Sequence, residues 1–221
     1  MGTLLATPPA GDAPARIGPN AITQVAAVLP AWLGSATARS LFEHAGLLHH
    51  WVRPPQSMVA ESEVRQLHLA LHAALGATQA AEVAAAAGTR TADYLLAHRI
   101  PRAVQRLLRA LPAGWAAQVL LAAITRHAWT FAGSAQFRSK AQWTGWTLGR
   151  SGEGEAPAWM SLQHNPLVRA GEGPTAGCHF YAAVFERLFR VLVHPDSQVR
   201  EVACESAGAP ACLFEVRLVA R

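Results

Sequence analysis

The sequence predicts an α+β fold in which an antiparallel sheet packs against several helices. The first two thirds of the 221-residue chain are rich in Ala and place apolar residues at helical spacing. Residues 135–219 instead contain runs in which Trp, Thr, Phe and Val mix with polar residues, as strands do. The last two runs are separated by Ala-Gly-Ala-Pro at 207–210, a turn signal that indicates an antiparallel pair.

The predicted helices follow from caps, breakers and periodicity. Asn20 and Ser35 are N-cap residues, and Pro30 is expected to end the first helix at Val28. Gly76 is expected to stop the helix that begins at Ser62, and Gly88 to interrupt the next one. These signals give helices at residues 20–28, 35–44, 62–75, 78–97, 103–111, 113–127 and 177–193.

Four strands and three parts of the chain complete the predicted organisation. The strands span 135–148, 158–163, 199–205 and 212–219. Residues 1–18 are rich in Pro, Gly and Ala, which predicts a loose tail. Pro54 and Pro55 then break the chain, so we expect a helical extension at 19–58 and a main ligand-binding domain at 59–221.

Composition and charge limit the possible partners and locations. The formal charge is +5, but the basic residues are scattered, which argues against nucleic acid as a partner. The longest apolar stretch, Trp115 to Ile124, is shorter than the roughly 20 residues that a membrane span needs. We therefore expect a cytoplasmic protein, in which the basic balance favours anionic ligands or contact with an anionic membrane surface.

All three cysteines lie in the last 44 residues, and their spacing predicts a common site. Cys204 and Cys212 lie on two strands joined by a short turn, and Cys178 begins the helix expected to pack on those strands. Glu201 can join them only if the strand bends or bulges, because an odd separation places side chains on opposite faces. Thiolate-rich sets of four ligands select zinc, although free cysteines are also often simply buried.

The end of the chain resembles the signature of 4-vinyl reductase domains. That signature has a Cys, a helix, Glu-x-x-Cys, a turn with Gly, and Cys-x-Phe-Glu, which here ends at Phe214 and Glu215. The same spacing is similar to the zinc site of phenol-sensing domains in transcription activators, which share this fold. The resemblance implies a 4-vinyl reductase domain-like fold with a structural zinc ion, held by Cys178, Glu201, Cys204 and Cys212.

A longer resemblance covers about residues 60–220. It rests on the motifs at 90–101, 127–134, 165–166 and 182–189, which resemble the bacteriochlorophyll 4-vinyl reductase family of purple phototrophic bacteria. The resemblance implies a role in bacteriochlorophyll biosynthesis, around 8-vinyl reduction of a chlorophyllide-type tetrapyrrole. It also implies other enzymes of that pathway as partners, a homodimer, and a position peripheral to the photosynthetic membrane.

The family name describes a reduction, but the sequence contains no familiar source of electrons. No G-x-G-x-x-G follows a predicted strand, no P-loop is present, and zinc has no redox chemistry. Two hypotheses remain at this point. The protein is a carrier or assembly factor for a vinyl tetrapyrrole, or it is the reductase itself and uses a cofactor that the sequence does not reveal.

The aromatic segment between the sixth helix and the second strand is the predicted pigment site. A chlorin is a flat apolar disc with a carboxylate, so its site needs aromatic walls, a basic residue and an axial nitrogen ligand. Arg138 and Lys140 are candidates to pair with the carboxylate. The same residues are also typical of an ordinary core and a solvated surface. The candidate ligand-binding residues are His127, Trp129, Phe131, Trp143, Trp146 and Trp159.

Overall fold

A four-stranded antiparallel sheet is the central element of the computed structural model, which describes residues 15–141, 158–167 and 177–218. Its strands lie in the order β3, β4, β6, β5, and every neighbouring pair is antiparallel. Seven α-helices accompany the sheet in the described residues, which confirms the predicted α+β fold. The strand bounds are β3 Gln136–Ala141, β4 Ala158–Gln163, β5 Gln198–Ala203 and β6 Cys212–Arg217.

The two faces of the sheet have different partners. Along β4 buried and half-buried residues alternate, so Met160 and Leu162 face the core while Trp159 and Ser161 point to the other side. Helix α7, His179–Leu192, covers the first face, which we call the inner face. In the described residues no helix packs on the second face, which we call the outer face.

Helices α4 and α7 form the largest helix–helix contact of the fold. They cross at Gly88, where an added Cβ would overlap the carbonyl oxygen of Phe180 and lie 3.1 Å from the Ala183 Cβ. The predicted interruption at Gly88 is wrong, because α4, Glu61–His98, is helical there and the glycine instead permits close packing. The predicted stop at Gly76 is confirmed as a kink, with φ of 72° inside α4.

The N-terminal helices pack on α4 and share its core. Helix α1, Asn20–Leu33, buries Ile22, Val25 and Leu29 against α4. Its predicted end at Pro30 is wrong, because Pro30 lies in the last turn, where it removes little hydrogen bonding. Gly34, with φ of 75°, ends the helix instead.

Two short strands join the start of the described chain to the start of α4. Arg16–Ile17 forms β1 and pairs with Val59–Ala60, which forms β2. Ile17 is buried in the common core, although the sequence pattern predicts a loose tail over residues 1–18. The prediction is wrong for Arg16 and Ile17, because the strand pair and the buried side chain fix this segment.

The remaining helices match the sequence expectations to within two residues, except for one short helix that the sequence does not predict. Their bounds are α2 Ser35–His44, α3 Leu48–Val52, α5 Arg102–Ala110 and α6 Ala113–Arg126, of which α3 is the unpredicted one. The rest of the predicted strand 135–148 beyond Ala141 lies outside the described residues. Among the helices of the described ranges, none is both long and apolar enough to cross a membrane.

Candidate metal centre

Four side chains from the end of the chain meet at one edge of the inner face. Cys178 immediately precedes α7, Glu201 lies on β5, Cys204 follows β5, and Cys212 begins β6. One ligand atom from each of them lies within 4.8 Å of the others. The Sγ atoms of Cys178 and Cys212 are 3.1 Å apart, and the Cys204 Sγ is 3.7 Å from both. The structure therefore brings together all four residues of the predicted metal set.

A bulge in β5 brings Glu201 and Cys204 to the same site. Glu201 pairs with Phe214 of β6, and Ala203 pairs with Leu213, so the register shifts between Glu201 and Ala203. The shift removes the alternation that would place an odd-numbered separation on opposite faces. Glu201 therefore faces the same cluster as Cys204, as the sequence required for a shared site.

Hydrogen bonds from neighbouring side chains hold the sulfur atoms. The Asn165 amide nitrogen donates to the Sγ of Cys178 at 2.9 Å and lies 3.5 Å from that of Cys212. The hydroxyl of Ser206 is 3.0 Å from the Cys204 Sγ. Glu205 accepts the backbone N–H groups of His164 and Asn165, at 2.7 Å and 2.9 Å, and so fixes the turn that carries the amide.

The sequence analysis did not assign Asn165, Glu205 or Ser206 to the site. Asn165 belongs to a motif that carried the family resemblance, and that was the available signal. Glu205 and Ser206 follow Cys204 directly, but nothing in their spacing indicates contacts to residues about 40 positions earlier. Outer partners of this kind orient metal ligands and set their charge.

The ionisation of the cluster favours a cation at its centre. Hydrogen bonding to Cys178 and Cys212 holds the pKa of the Cys204 thiol far below its usual range. Hydrogen bonding to Cys204 instead raises the pKa of Cys178 well above its usual value. The hydrogen bond with Cys178 lowers the pKa of Cys212, but the bond with Cys204 and burial outweigh it and raise the pKa to about 12. The three sulfur atoms therefore share essentially one negative charge, since a second would be repelled.

Glu201 adds a second indication that the site suits a metal ion. Burial raises the pKa of its carboxyl from 4.5 to about 7. One oxygen accepts the backbone N–H of Cys178 at 2.8 Å, while Oε1 is buried without a hydrogen-bond partner in the described part of the chain. A dication would satisfy that oxygen and stabilise the charged forms of all four groups.

The distances and donor types fit zinc. A tetrahedral site with Zn–S bonds of about 2.3 Å places its sulfur atoms about 3.7–3.8 Å apart. Two of the three sulfur–sulfur distances are 3.7 Å, and the third is shorter, at 3.1 Å. Three thiolates and one carboxylate would complete four-coordination, so Cys178, Glu201, Cys204 and Cys212 would hold the ion in a closed, structural site.

Comparison with known proteins gives the family of the chain. The family model of the 4-vinyl reductase domain matches residues 160–218. The bacteriochlorophyll synthase 23 kDa chain of Cereibacter sphaeroides is 43% identical over 201 residues, 91% of this chain and 90% of the relative. The protein of the same name from Rhodobacter capsulatus is 41% identical over 211 residues, 95% of this chain and 90% of the relative.

The chain belongs to the bacteriochlorophyll synthase 23 kDa chain family. The segment that matches the domain model contains all four residues of the candidate metal centre, together with most of β4, all of α7, and β5 and β6. The similarity to the two 23 kDa chains covers more than nine tenths of this chain, so it reaches well beyond that segment.

The predicted pigment residues are not gathered in one place. His127 and Trp129 lie on the surface after α6, where the His127 ring donates to the Ala123 carbonyl at 2.8 Å and Trp129 is 61% exposed. Phe131 packs in the core beside Phe137, Tyr181 and Phe185. Its ring therefore lies on the inner side of the sheet.

Trp159 lies on the outer face, opposite the core that contains Phe131. Trp143 and Trp146 fall outside the described residues. The described members of the predicted pigment set therefore occupy three separate environments. The assignment of a pocket to these residues stays a prediction for this family.

Proposed function

We propose that the protein acts in bacteriochlorophyll biosynthesis, where it binds a vinyl tetrapyrrole of the chlorophyllide type and supports reduction of its 8-vinyl group. In this proposal it is a substrate carrier or assembly factor for the reducing enzyme. The names of its relatives support the pathway. The observation that carries the binding role is the character of the outer face of the sheet.

The outer face combines an aromatic centre with basic edges. The strand registers place Lys140, Trp159, Glu215 and Arg200 in one row across β3, β4, β6 and β5. The neighbouring row contains Arg138, Ser161 and Leu213. Trp159 and Leu213 are half-buried, whereas Arg138, Lys140 and Arg200 are exposed.

This arrangement matches the chemistry of a chlorin. A flat, largely apolar macrocycle gains most from a flat apolar surface, and an indole ring provides one. Its carboxylate needs a cation, which Arg138 and Lys140 supply at the β3 edge. Glu215 is occupied by Arg217, at 3.0 Å, and therefore does not repel a carboxylate with a free charge.

The metal centre has a supporting role in the same proposal. Zinc, when bound, contributes Lewis-acid and structural bonding but no electron transfer. Cys178 ties the start of α7 to β5 and β6 through the other three ligands. We propose that this connection keeps the sheet rigid, because β6 lies next to Trp159 of β4 and defines the outer face.

The surface of α5 and α6 supports contact with an anionic membrane. No Asp or Glu occurs between Asp93 and Glu153, while α5 carries Arg102, Arg106 and Arg109 within nine residues. On the same helix Leu107 is 60% exposed, beside the arginines. Basic residues flanking an exposed apolar stripe are typical of helices that lie in the membrane interface.

Vesicle sedimentation tests the membrane contact. We expect the protein to sediment with vesicles of anionic phosphatidylglycerol and not with those of phosphatidylcholine. Leu107→Ser should weaken the binding several-fold, and Val52→Ser, a change at an exposed apolar residue of α3, should leave it unchanged. Equal loss in both variants, or equal binding to both lipids, would contradict a contact through α5.

The partners in this proposal follow from the family. The relatives are named as one chain of a synthase, so we include other bacteriochlorophyll biosynthesis enzymes among the partners. A homodimer is the oligomeric state that the resemblance implies, and sedimentation velocity of the purified protein measures it. The proposed location is cytoplasmic and peripheral to the photosynthetic membrane.

Titration with a divinyl chlorophyllide tests the binding role directly. The absorbance of the pigment and the quenching of protein fluorescence both report binding. Trp159→Ala should weaken the affinity about tenfold, or about 1.4 kcal/mol, because the stacking surface is lost. Trp32→Ala, which removes an exposed indole of α1, is the matched control and should bind as the unchanged protein does. Equal affinities for both variants would place the pigment elsewhere.

A further inference from the structure

A second cluster of metal-ligating side chains lies where α3 meets the start of α4. His49 and His50 are adjacent on α3, and Glu63 belongs to the first turn of α4. One ligand atom from each of these residues lies within 4.8 Å of the others. The Glu63 Oε1 is 3.4 Å from the His49 Nε2 and 3.1 Å from the His50 Nε2.

The environment of His50 indicates that something is missing from this cluster. The residue is only 9% exposed, and its Nε2 is buried without a hydrogen-bond partner in the described ranges. Glu63 Oε1 is close enough to be a partner, but it does not lie along the direction of the ring N–H. A buried ring nitrogen without a partner is costly, and a metal ion on its lone pair removes that cost.

The distances between the three ligand atoms suit a common ion. Metal–nitrogen bonds of about 2.0–2.1 Å and metal–oxygen bonds of about 2.0–2.2 Å place tetrahedral neighbours about 3.3–3.5 Å apart. One of the two nitrogen–oxygen distances, 3.4 Å, lies within that range, and the other, 3.1 Å, is slightly shorter. The imidazole rings are also close, with centroids 3.9 Å apart.

Glu63 is held in position independently of any ion. Its second oxygen accepts the backbone N–H of Ala60 at 3.1 Å and so caps the start of α4. That contact leaves Oε1 directed at the two imidazoles. The side chain of His49 is 60% exposed, which gives the site an opening to solvent. A site with a fixed carboxylate, one buried imidazole and one exposed imidazole is preorganised and accessible.

We propose that His49, His50 and Glu63 form a second metal site that binds a borderline divalent cation such as zinc, cobalt or nickel. Two imidazoles and one carboxylate suit this class of ion better than calcium or magnesium. The described residues supply only three protein ligands, so water or an exogenous ligand completes the coordination. This site is open, in contrast to the closed cysteine centre, and it goes beyond the proposed pigment-binding function.

Metal stoichiometry of the untagged protein tests the second site. The metal-free chain is dialysed against micromolar zinc and analysed by mass spectrometry, while a thiol reagent reports whether the cysteines are occupied. We expect two zinc ions per chain. His49→Ala should bind one and keep its cysteines protected, and His44→Ala, an exposed histidine of α2, should still bind two.

Two further variants keep the test decisive. Glu63→Gln retains an acceptor for the Ala60 N–H, so it should fold and bind one ion. Cys204→Ser should lose the protected ion and keep the second, which separates failure of this site from failure of the cysteine centre. Two ions in both His49→Ala and Glu63→Gln would overturn the proposal. So would a second ion that binds the unchanged protein only at millimolar zinc.

Discussion

The two faces of the four-stranded sheet differ in how their polar groups are satisfied. On the inner face, Cys178, Glu201, Cys204 and Cys212 are enclosed and hold an incomplete set of charges and hydrogen bonds. On the outer face, Lys140 and Arg200 are exposed to solvent on either side of Trp159. The inner face is therefore suited to a permanent ion, and the outer face to a ligand that arrives and leaves.

The largest expected effect is loss of the inner-face ion. Cys204→Ser should abolish zinc binding at this site and lower Tm by about 10 °C, because an ion present at about a thousand times its Kd contributes about 4 kcal/mol. Zinc analysis and differential scanning calorimetry measure the two effects. Val202→Ser, an exposed change on the same strand, is the control and should alter neither. Full stability of Cys204→Ser without zinc would contradict a structural metal.

Asn165→Ala should have an intermediate effect on the same face. The amide donates to two sulfur atoms, so its removal should lower zinc affinity about 10–100-fold without removing a ligand. Competition with a chromogenic chelator measures the affinity. Gln163→Ala changes a neighbouring residue whose side chain points to the outer face, and it should keep the original affinity. An unchanged affinity in Asn165→Ala would show that the amide does not stabilise the ligand set.

The smallest effect is expected at the edge of the outer face. Lys140→Glu should weaken chlorophyllide binding about fivefold, or about 1 kcal/mol, since an exposed charge contributes little. Zinc content should stay the same, because Lys140 lies on the face opposite the metal centre. Arg39→Glu on α2 makes the same charge change far from the sheet and is the control. A parallel loss of zinc in Lys140→Glu would show that the two faces are coupled.

The sequence was sufficient for most elements of the fold. The predicted bounds of β4 are the observed ones, and the kink at Gly76 lies where the glycine predicted a stop. The errors have tertiary causes. Pro30 sits in the last turn of a helix that packing on α4 sustains, and Gly88 is buried at a helix crossing where only a glycine fits. Neither context is visible in local propensity.

The metal centre was predictable in its ligands but not in its geometry. The cysteines are few and late in the chain, and the family resemblance supplied Glu201. The bulge after Glu201 depends on pairing with β6, which spacing cannot indicate. The cluster of His49, His50 and Glu63 was missed because its carboxylate lies beyond the Pro54–Pro55 break, and helix α3 itself was not predicted.

The aromatic segment was harder to interpret than the cysteines. Metal ligands constrain one another through a common ion, whereas Trp and Phe also build ordinary cores. Phe131 is such a core residue, and Trp159 lies across the sheet from it. Composition alone therefore marked the segment without separating ligand contacts from packing.

The absorption spectrum of the protein purified from a phototrophic host tests the central claim most directly. We predict that chlorin bands of a vinyl tetrapyrrole elute with the protein at about one pigment per chain, with no other chromophore. The same preparation of Trp159→Ala should carry much less pigment. A protein without pigment that instead carries stoichiometric flavin or nicotinamide would contradict the carrier role and identify a reductase.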